Sequence, residues 1–320
     1  MNFKALTIGI LLSLGTSNSM KAIPYLPEFQ QEDQEAMEGS KLEFFNKGDF
    51  EHWSSQTIKE SRIIGGNTVN LMHIGSPWGS SNVWAKVSGV TKTNVSVYKD
   101  KHPGHGNCVK LYTHIVEAKV LGLINIKVLA AGSIFLGNTI QPIRDTKNPM
   151  AKLNAGVPFN RRPKGIVFDY KVNIVGGNRI RQNGITKGKT VQGQDMADCI
   201  LYLQKRWEDA NGNIYAKRVG TLVRRFNKSS DWKENVFFAI HYGDITKEKF
   251  YNSSWGLTSG SITKYAKNSK GAMVPIKEVG WGDENDTPTH IVLQFDSSHG
   301  GAYIGTVGNT LWVDNVRLAY

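Results

Sequence analysis

Three acidic side chains near the two ends of the chain could together bind a hard cation. Asp49 and Glu51 lie in a predicted strand within residues 46–53, and Asp314 lies in a predicted closing strand within residues 312–318. Calcium takes oxygen ligands, and carboxylates are its commonest protein ligands. We therefore predict that the two ends meet and that these three acids hold a structural calcium ion. The alternative is two ordinary strands with exposed acids.

An interruption of the apolar alternation in the closing strand predicts that the carboxylate of Asp314 is redirected. Leu311 and Val313 place apolar side chains on one face, whereas Val316 and Leu318 place them on the other. Because successive side chains of a strand point to opposite faces, this phase slip predicts a β-bulge near Asp314–Asn315. A bulge is a device by which a strand redirects one side chain.

Tryptophans in predicted loops could bind a sugar. Their sequence neighbours are Gly, Ser, Asn, Asp and Pro, which cannot easily cover a large ring. An aromatic ring offers a flat apolar face, and nearby polar side chains can take hydroxyl groups. The alternative for each ring is that it packs inward under its own loop. The predicted ligand-binding residues are Trp78, Trp232, Trp255 and Trp281.

Two other constellations could carry chemistry. Asp169 and Asp296 lie opposite the apolar faces of alternating strands, and a convergent carboxylate pair is what glycoside cleavage needs. Each is equally consistent with an outward-facing strand residue. His102, His105 and Cys108 have a spacing that could hold zinc, but their Pro- and Gly-containing segment is more typical of a turn. No nucleophile elbow, Walker loop or dinucleotide fingerprint occurs.

The elements that would position these residues are strands. Short alternating runs, of which residues 166–174 are the clearest, are separated by turn residues, and Asn211-Gly212 predicts a hairpin over residues 198–226. Little helical periodicity is present. These patterns predict an all-β fold, a β-sandwich of the jelly-roll type, forming a single domain over residues 42–320. Five long loops are predicted at residues 65–82, 98–107, 137–162, 176–195 and 251–290.

The start of the chain and its composition indicate where the protein resides and which partners it can bind. Residues 1–22 have the charge and apolar pattern of a signal peptide, and residues 23–41 read as a polar tether. We predict a secreted or periplasmic protein with no transmembrane segment and no lipid-anchor Cys. The formal charge of +12 is spread along the chain, which argues against nucleic acid as a partner. A disulfide between Cys108 and Cys199 is left open.

Three stretches of the sequence resemble a known family. Residues 48–53, 156–171 and 313–318 are similar to the putative carbohydrate metabolism domain of exported proteins from Bacteroides-type bacteria. The resemblance spans nearly the whole predicted domain and implies a galactose-binding-like jelly roll that takes part in glycan utilisation at the cell envelope. It also implies that Glu51 and Asp314 match the positions at which related binding modules hold a structural calcium ion.

The sequence therefore favours an exported protein that resembles a carbohydrate-binding module and captures a polysaccharide or glycan, with cell-envelope glycan-utilisation proteins as partners. Binding is favoured over catalysis. Two alternatives remain open at this stage: a glycan-cleaving enzyme, either a glycoside hydrolase or a polysaccharide lyase, and a structural or adhesin-like interaction protein.

Overall fold

The chain folds almost entirely into strands. The computed structural model describes residues 37–144 and 148–320, which contain 26 strands, four short 3₁₀ helices and no α-helix. The all-β prediction is confirmed. No helix within these residues is long and apolar enough to cross a membrane. The signal-peptide prediction lies outside the described residues, as does the tether prediction up to residue 36, and the single-domain boundary stays a prediction.

The first half of the chain forms fourteen strands and two 3₁₀ helices. They are β1 (Leu42–Phe44), β2 (Trp53–Lys59), η1 (Arg62–Ile64), β3 (Thr68–Ile74), β4 (Trp78–Ser80), β5 (Val83–Val87), β6 (Val90–Asn94), β7 (Val97–His102), β8 (Gly106–Tyr112), β9 (His114–Val120), β10 (Ile124–Ala130), β11 (Ser133–Thr139), η2 (Pro149–Lys152), β12 (Leu153–Ala155), β13 (Val157–Pro158) and β14 (Gly165–Asn173).

The second half forms twelve strands and two 3₁₀ helices. They are β15 (Asn178–Arg181), β16 (Asn183–Gly184), β17 (Lys189–Gln194), β18 (Ala197–Glu208), β19 (Ile214–Phe226), β20 (Ser230–Ala239), β21 (His241–Tyr242), η3 (Ser253–Trp255), η4 (Gly260–Ile262), β22 (Tyr265–Lys267), β23 (Met273–Trp281), β24 (His290–Asp296), β25 (Ile304–Gly305) and β26 (Thr310–Ala319).

Two sheets make up the body of the molecule. One has six strands in the order β20-β14-β26-β8-β7, with β1 added beside β26. The other has ten strands, and seven of them close into a ring because β11 pairs with both β12 and β24. The ring runs β24-β18-β19-β23-β22-β12-β11 and back to β24. Closing a sheet on itself gives it an interior of its own.

The apolar core lies between these two sheets. Phe168 of β14 packs edge-on against Phe295 of β24 at a ring-centroid distance of 5.0 Å and stacks on Phe238 of β20 at 4.8 Å. Alternate residues of β14 and β18 supply the two facing surfaces, because successive side chains of a strand point to opposite faces. This arrangement is the predicted sandwich, and the predicted hairpin over residues 198–226 is its longest strand pair.

The two ends of the described chain are neighbours, as predicted. Leu42 pairs with Ala319, and the backbone N–H of Val316 donates to the carbonyl of Gly48 at 2.8 Å. The bulge is also confirmed. Strand β14 pairs Val167 with Arg317 but Asp169 with Asp314, so two residues of β26 face Phe168 alone.

The bulge has a definite backbone conformation. Asn315 has a φ of 51°, a left-handed value that Asn tolerates better than most residues. The extra residue keeps the apolar side chains on both sides of it in the same core. Those buried side chains are Leu311, Val313, Val316 and Leu318.

Candidate functional site

Trp78 is a core residue, and the prediction that it lies in a loop is wrong. It is the first residue of β4, and only 5% of its surface is exposed. The centroid of its ring lies 5.3 Å from that of Phe50 and 6.4 Å from that of Phe45. Its Nε1–H donates to the carbonyl of Asn46 at 2.9 Å. A ring that is buried and hydrogen-bonded in this way has no free face for a sugar.

The other three predicted tryptophans are half-buried and lie on different elements. Trp232 in β20 stacks on His102 at 3.7 Å, and Trp255 in η3 packs against Phe250 at 5.5 Å. Trp281 ends β23, where the guanidinium of Arg218 lies 5.8 Å from its ring. Each of these three rings therefore has another side chain of the protein beside it. Their assignment as sugar-binding residues stays a prediction.

A pair of neighbouring aromatic rings outside the four predicted tryptophans also reaches the surface. Trp207 of β18 and Tyr215 of β19 are cross-strand partners, and their rings lie 5.8 Å apart with planes only 19° from parallel. Trp207 is 45% exposed. Lys277 of β23 places its Nζ 5.3 Å from the Tyr215 ring. We call this surface the Trp207–Tyr215 platform.

The length of the hairpin explains why this platform is exposed. Trp207 follows Cys199, Leu201 and Leu203 at two-residue spacing, so it lies on the face that is buried further back along β18. The strand runs beyond the core, and Lys205 already lies in solvent. The same alternation that fills the core therefore presents Trp207 outside it.

The interior of the ring carries buried polar side chains. Asp198 of β18 and Asp296 of β24 are cross-strand partners that share a hydrogen bond. Burial raises the pKa of Asp198 well above its ordinary value, and the Asp296 carboxylate raises it further. Nearby, the Nζ of buried Lys264 donates to Gln294 Oε1 at 2.6 Å, and Gln294 donates to Asp296. Asp296 thus converges with Asp198, while Asp169 belongs to the other sheet.

Replacing Asp198 with Asn tests this pair through the pH dependence of stability. An acid with a raised folded-state pKa keeps its proton in the folded protein at pH values where the unfolded chain has lost it, so its stabilising effect is complete below the unfolded pKa and is lost as pH rises through the folded pKa. An Asn side chain can donate to Asp296 at any pH.

We expect the melting temperature of Asp198→Asn, relative to wild type, to be higher at about pH 8 than at about pH 5. Differential scanning fluorimetry across this range measures the change. A pH-independent difference would contradict a protonated Asp198.

A second buried polar pair lies further along the ring. Arg218 and Glu278 have fully buried side chains, and Arg218 Nε donates to Glu278 Oε1 at 2.6 Å. Glu278 also accepts from the backbone N–H of Thr258 at 2.6 Å and from Gln204 Nε2 at 2.6 Å. The guanidinium stacks 3.5 Å above the Tyr202 ring. Both carboxylate oxygens of Glu278 therefore accept hydrogen bonds, and this network stabilises the interior of the ring.

The three acids predicted to hold calcium do not form a common site. Among the described residues, Asp314 groups with His102 and Asp169 rather than with Asp49 and Glu51 within ligand distance. Exposed Glu51 accepts from the backbone N–H of Asn107 at 2.6 Å. The residues present therefore do not fit a calcium site made of these three carboxylates. The two ends of the described chain are neighbours nevertheless.

Neither cysteine forms a disulfide in this structure. Cys108 and Cys199 are both free and fully buried. Burial raises the pKa of Cys108 to about 12, with Asp100 and Asp314 adding to the shift, and burial also raises the pKa of Cys199. Among the described residues, the groups of side chains within ligand distance of His102 do not include Cys108.

Comparisons with known proteins add the family. Five chains of solved structures match, among them the following two. One, a putative glycoside hydrolase from Bacteroides thetaiotaomicron, has 18% identity and a TM-score of 0.44, with 79% of this chain and 67% of that chain covered. The other, a putative glycoside hydrolase from Bacteroides vulgatus, has 15% identity and a TM-score of 0.45, with 84% and 96% covered. No curated protein matches.

The family model of the putative carbohydrate metabolism domain matches residues 49–319. This range includes the ring, the Trp207–Tyr215 platform and every strand of the two sheets except β1. The chain therefore belongs to the family of the putative carbohydrate metabolism domain, and its function is carbohydrate-related.

Proposed function

We propose that the protein is an exported glycan-binding module that captures a polysaccharide on the Trp207–Tyr215 platform. The observation that carries this proposal is the pair of nearly parallel aromatic rings that share one exposed strand face. The apolar face of a sugar ring packs on such a surface, and aromatic side chains with a polar tip suit recognition. The Nζ of Lys277 lies 5.3 Å from the Tyr215 ring, and Lys217 is exposed two residues further along β19, so an acidic glycan fits the charge best.

The buried carboxylates favour binding over cleavage. Glycosidases that use two carboxyl groups keep them about 5 Å or more apart so that the sugar or water fits between them. Asp198 and Asp296 share a hydrogen bond instead and are at most 8% exposed. They fit a structural role in the ring, whereas a hydrolase would need them separated and open to substrate.

Affinity electrophoresis in gels that contain acidic or neutral polysaccharides, preceded by a glycan array to choose them, tests the proposal. We expect Trp207→Ala to weaken retention at least tenfold in Kd, or about 1.4 kcal/mol, because half of the stacking surface is removed. Tyr215→Ala should weaken it less. Tyr98→Ala is the matched control, since Tyr98 is an exposed aromatic residue on another strand. Trp232→Ala, Trp255→Ala and Trp281→Ala belong in the same series.

Three results would contradict the proposal. Wild-type protein that passes unretarded through every polysaccharide gel would remove the binding function. Retention that Trp207→Ala leaves unchanged would move the site elsewhere. If the wild-type protein released reducing ends or unsaturated products from a polysaccharide and Asp198→Asn did not, a glycoside hydrolase or polysaccharide lyase would be favoured. Cell fractionation of the native producer would test the export to the envelope that is part of the proposal.

A further inference from the structure

A histidine-rich cluster lies on the outer face of the six-stranded sheet. His102 ends β7, and its side chain is only 1% exposed. Its ring lies between two others: Trp232 at 3.7 Å on one side and His105 at 4.3 Å on the other, both within about 20° of parallel. Glu234 of β20 lies across from both histidines. Neither the glycan platform nor the ring interior involves these side chains.

The hydrogen bonding of His102 assigns roles to its two nitrogens. Nδ1 lies 2.8 Å from Asp314 Oδ2, the contact made by the tautomer that carries its proton on Nδ1. In that tautomer Nε2 carries a lone pair. It is buried and has no hydrogen-bond partner among the described residues. The nearest acidic oxygen, Glu234 Oε1, lies 3.7 Å away, too far for a hydrogen bond. A buried nitrogen without a partner is costly and therefore points to a ligand.

The surrounding atoms have the spacing of a metal site. His105 Nε2 lies 3.5 Å from the same Glu234 Oε1. The three candidate ligand atoms all lie within 4.8 Å of one another. A tetrahedral zinc ion with ligands at about 2.0–2.2 Å separates neighbouring ligand atoms by about 3.3–3.6 Å. The 3.5 Å distance from His105 to Glu234 falls within this range, and the 3.7 Å distance from His102 lies just beyond it. Rotation of the partly exposed His105 ring adjusts the distance between the two histidines.

Paired bulges in the sheet build this geometry. Glu234 and Asp314 each precede an Asn with positive φ, Asn235 at 55° and Asn315 at 51°. Strand β14 lies between them and supplies Asp169, which accepts from Asn235 N–H at 2.6 Å and from Asn315 Nδ2 at 2.7 Å. Both acidic side chains are thereby directed towards His102. Bulges commonly redirect side chains in this way beside functional sites.

We propose that His102, His105 and Glu234 bind a divalent transition-metal ion of the zinc class, with Asp314 as the positioning residue that orients His102. Two imidazoles and one carboxylate are a zinc-type donor set, and a water completes four-coordination on the exposed side of His105 and Glu234. The carboxylate on Nδ1 is the outer-shell partner that metal-bound histidines usually have. Calcium and magnesium prefer oxygen ligands, so two nitrogens argue against them.

Zinc binding by the metal-stripped full chain tests the proposal. We expect one equivalent of Zn²⁺ in isothermal titration, a rise in melting temperature, and the visible absorption of tetrahedral Co²⁺ when cobalt replaces zinc. His105→Ala and Glu234→Gln should each raise the zinc Kd at least tenfold. Both residues are partly exposed, so the variants should fold. His52→Ala is the control, because His52 is exposed and lies outside the cluster.

The role of Asp314 has its own readout. Asp314→Asn should weaken zinc affinity about 10- to 100-fold and change the Co²⁺ absorption, which a merely structural residue would leave unchanged. Zinc binding that survives both His105→Ala and Glu234→Gln would overturn the proposal. So would the absence of one-to-one binding. Stabilisation by Ca²⁺ but not by Zn²⁺ would overturn it in favour of an all-oxygen site near Asp49 and Glu51.

Discussion

Arg218→Met is expected to lower the free energy of unfolding by about 3–5 kcal/mol, because it leaves Glu278 charged and buried without its cation. Glu278 is held inside the ring by Arg218, Gln204 and Thr258, and burial would raise its pKa once the guanidinium is gone. Removing one partner of a buried pair costs far more than the net contribution of the pair, since desolvation of the remaining charge is no longer offset.

Urea unfolding followed by tryptophan fluorescence measures this effect. Lys205→Met is the matched control: it breaks an ion pair of similar length, 2.6 Å to Asp286, with Lys205 half exposed, and should cost about 0–1 kcal/mol. The double variant Arg218→Met/Glu278→Gln should recover part of the loss. Equal effects of Arg218→Met and Lys205→Met would show that the pair is not desolvated.

Asp169→Ala is expected to lower the free energy of unfolding by about 3 kcal/mol. The carboxylate is 2% exposed and accepts from the backbone of one bulge and the side chain of the other. Hydrogen bonds to a charged group are worth about 1.5–3 kcal/mol, and truncation leaves the Asn235 N–H unpaired. Because both bulges lose their shared acceptor, the variant should also weaken zinc binding by the cluster around His102.

Chemical denaturation and zinc titration of the same variant separate the two effects. Asp169→Asn should fall between wild type and Asp169→Ala, because an amide oxygen can still accept from Asn235. Asp231→Ala is the control, since Asp231 lies nearby on β20 with a fully exposed side chain. A change of less than about 1 kcal/mol in Asp169→Ala would mean that the two bulges hold their conformation without it.

Features that are encoded within one strand or one turn could be predicted from the sequence. The phase slip in β26 predicted the bulge at Asp314–Asn315, and Asn211-Gly212 predicted the hairpin of β18 and β19. The ring was not predictable in this way. It depends on pairings such as β11 with β24 and β12 with β22, which join two or three residues from distant parts of the chain. Strands also lie within the stretches predicted as long loops, among them β3, β17 and β23.

Two tryptophans show why loop composition was a poor guide to exposure. Trp78 follows a proline and precedes a glycine, yet the chain places it in the core because β4 pairs with β11. Trp207 lies on the face of β18 that is buried in the core at Cys199, Leu201 and Leu203. It is exposed because the hairpin extends beyond the opposing sheet. Local pattern indicates the face on which a side chain lies. Whether that face is covered depends on the length of a partner strand elsewhere in the sequence.

The proposed metal site was visible only in part from the sequence. The spacing of the sequence indicates His102 and His105, with Cys108 as the third candidate ligand. Strand alternation places Cys108 on the same outer face, yet it lies in no group of side chains within ligand distance of His102. The third ligand and the orienting acid come from Glu234 and Asp314, far along the chain. The paired Glu-Asn and Asp-Asn bulges were the available signal, and only one of them left a phase slip in the apolar pattern.

The placement of the two thiols has a consequence for handling the protein. Cys108 and Cys199 lie on opposite sides of the six-stranded sheet, one outside and one in the core, so the native fold keeps them from meeting. An unfolded chain has no such barrier, and its thiols regain their ordinary acidity. Oxidant added during renaturation would therefore trap a cross-linked chain that cannot return to the native state, whereas oxidant added afterwards would meet two buried thiols that cannot reach each other.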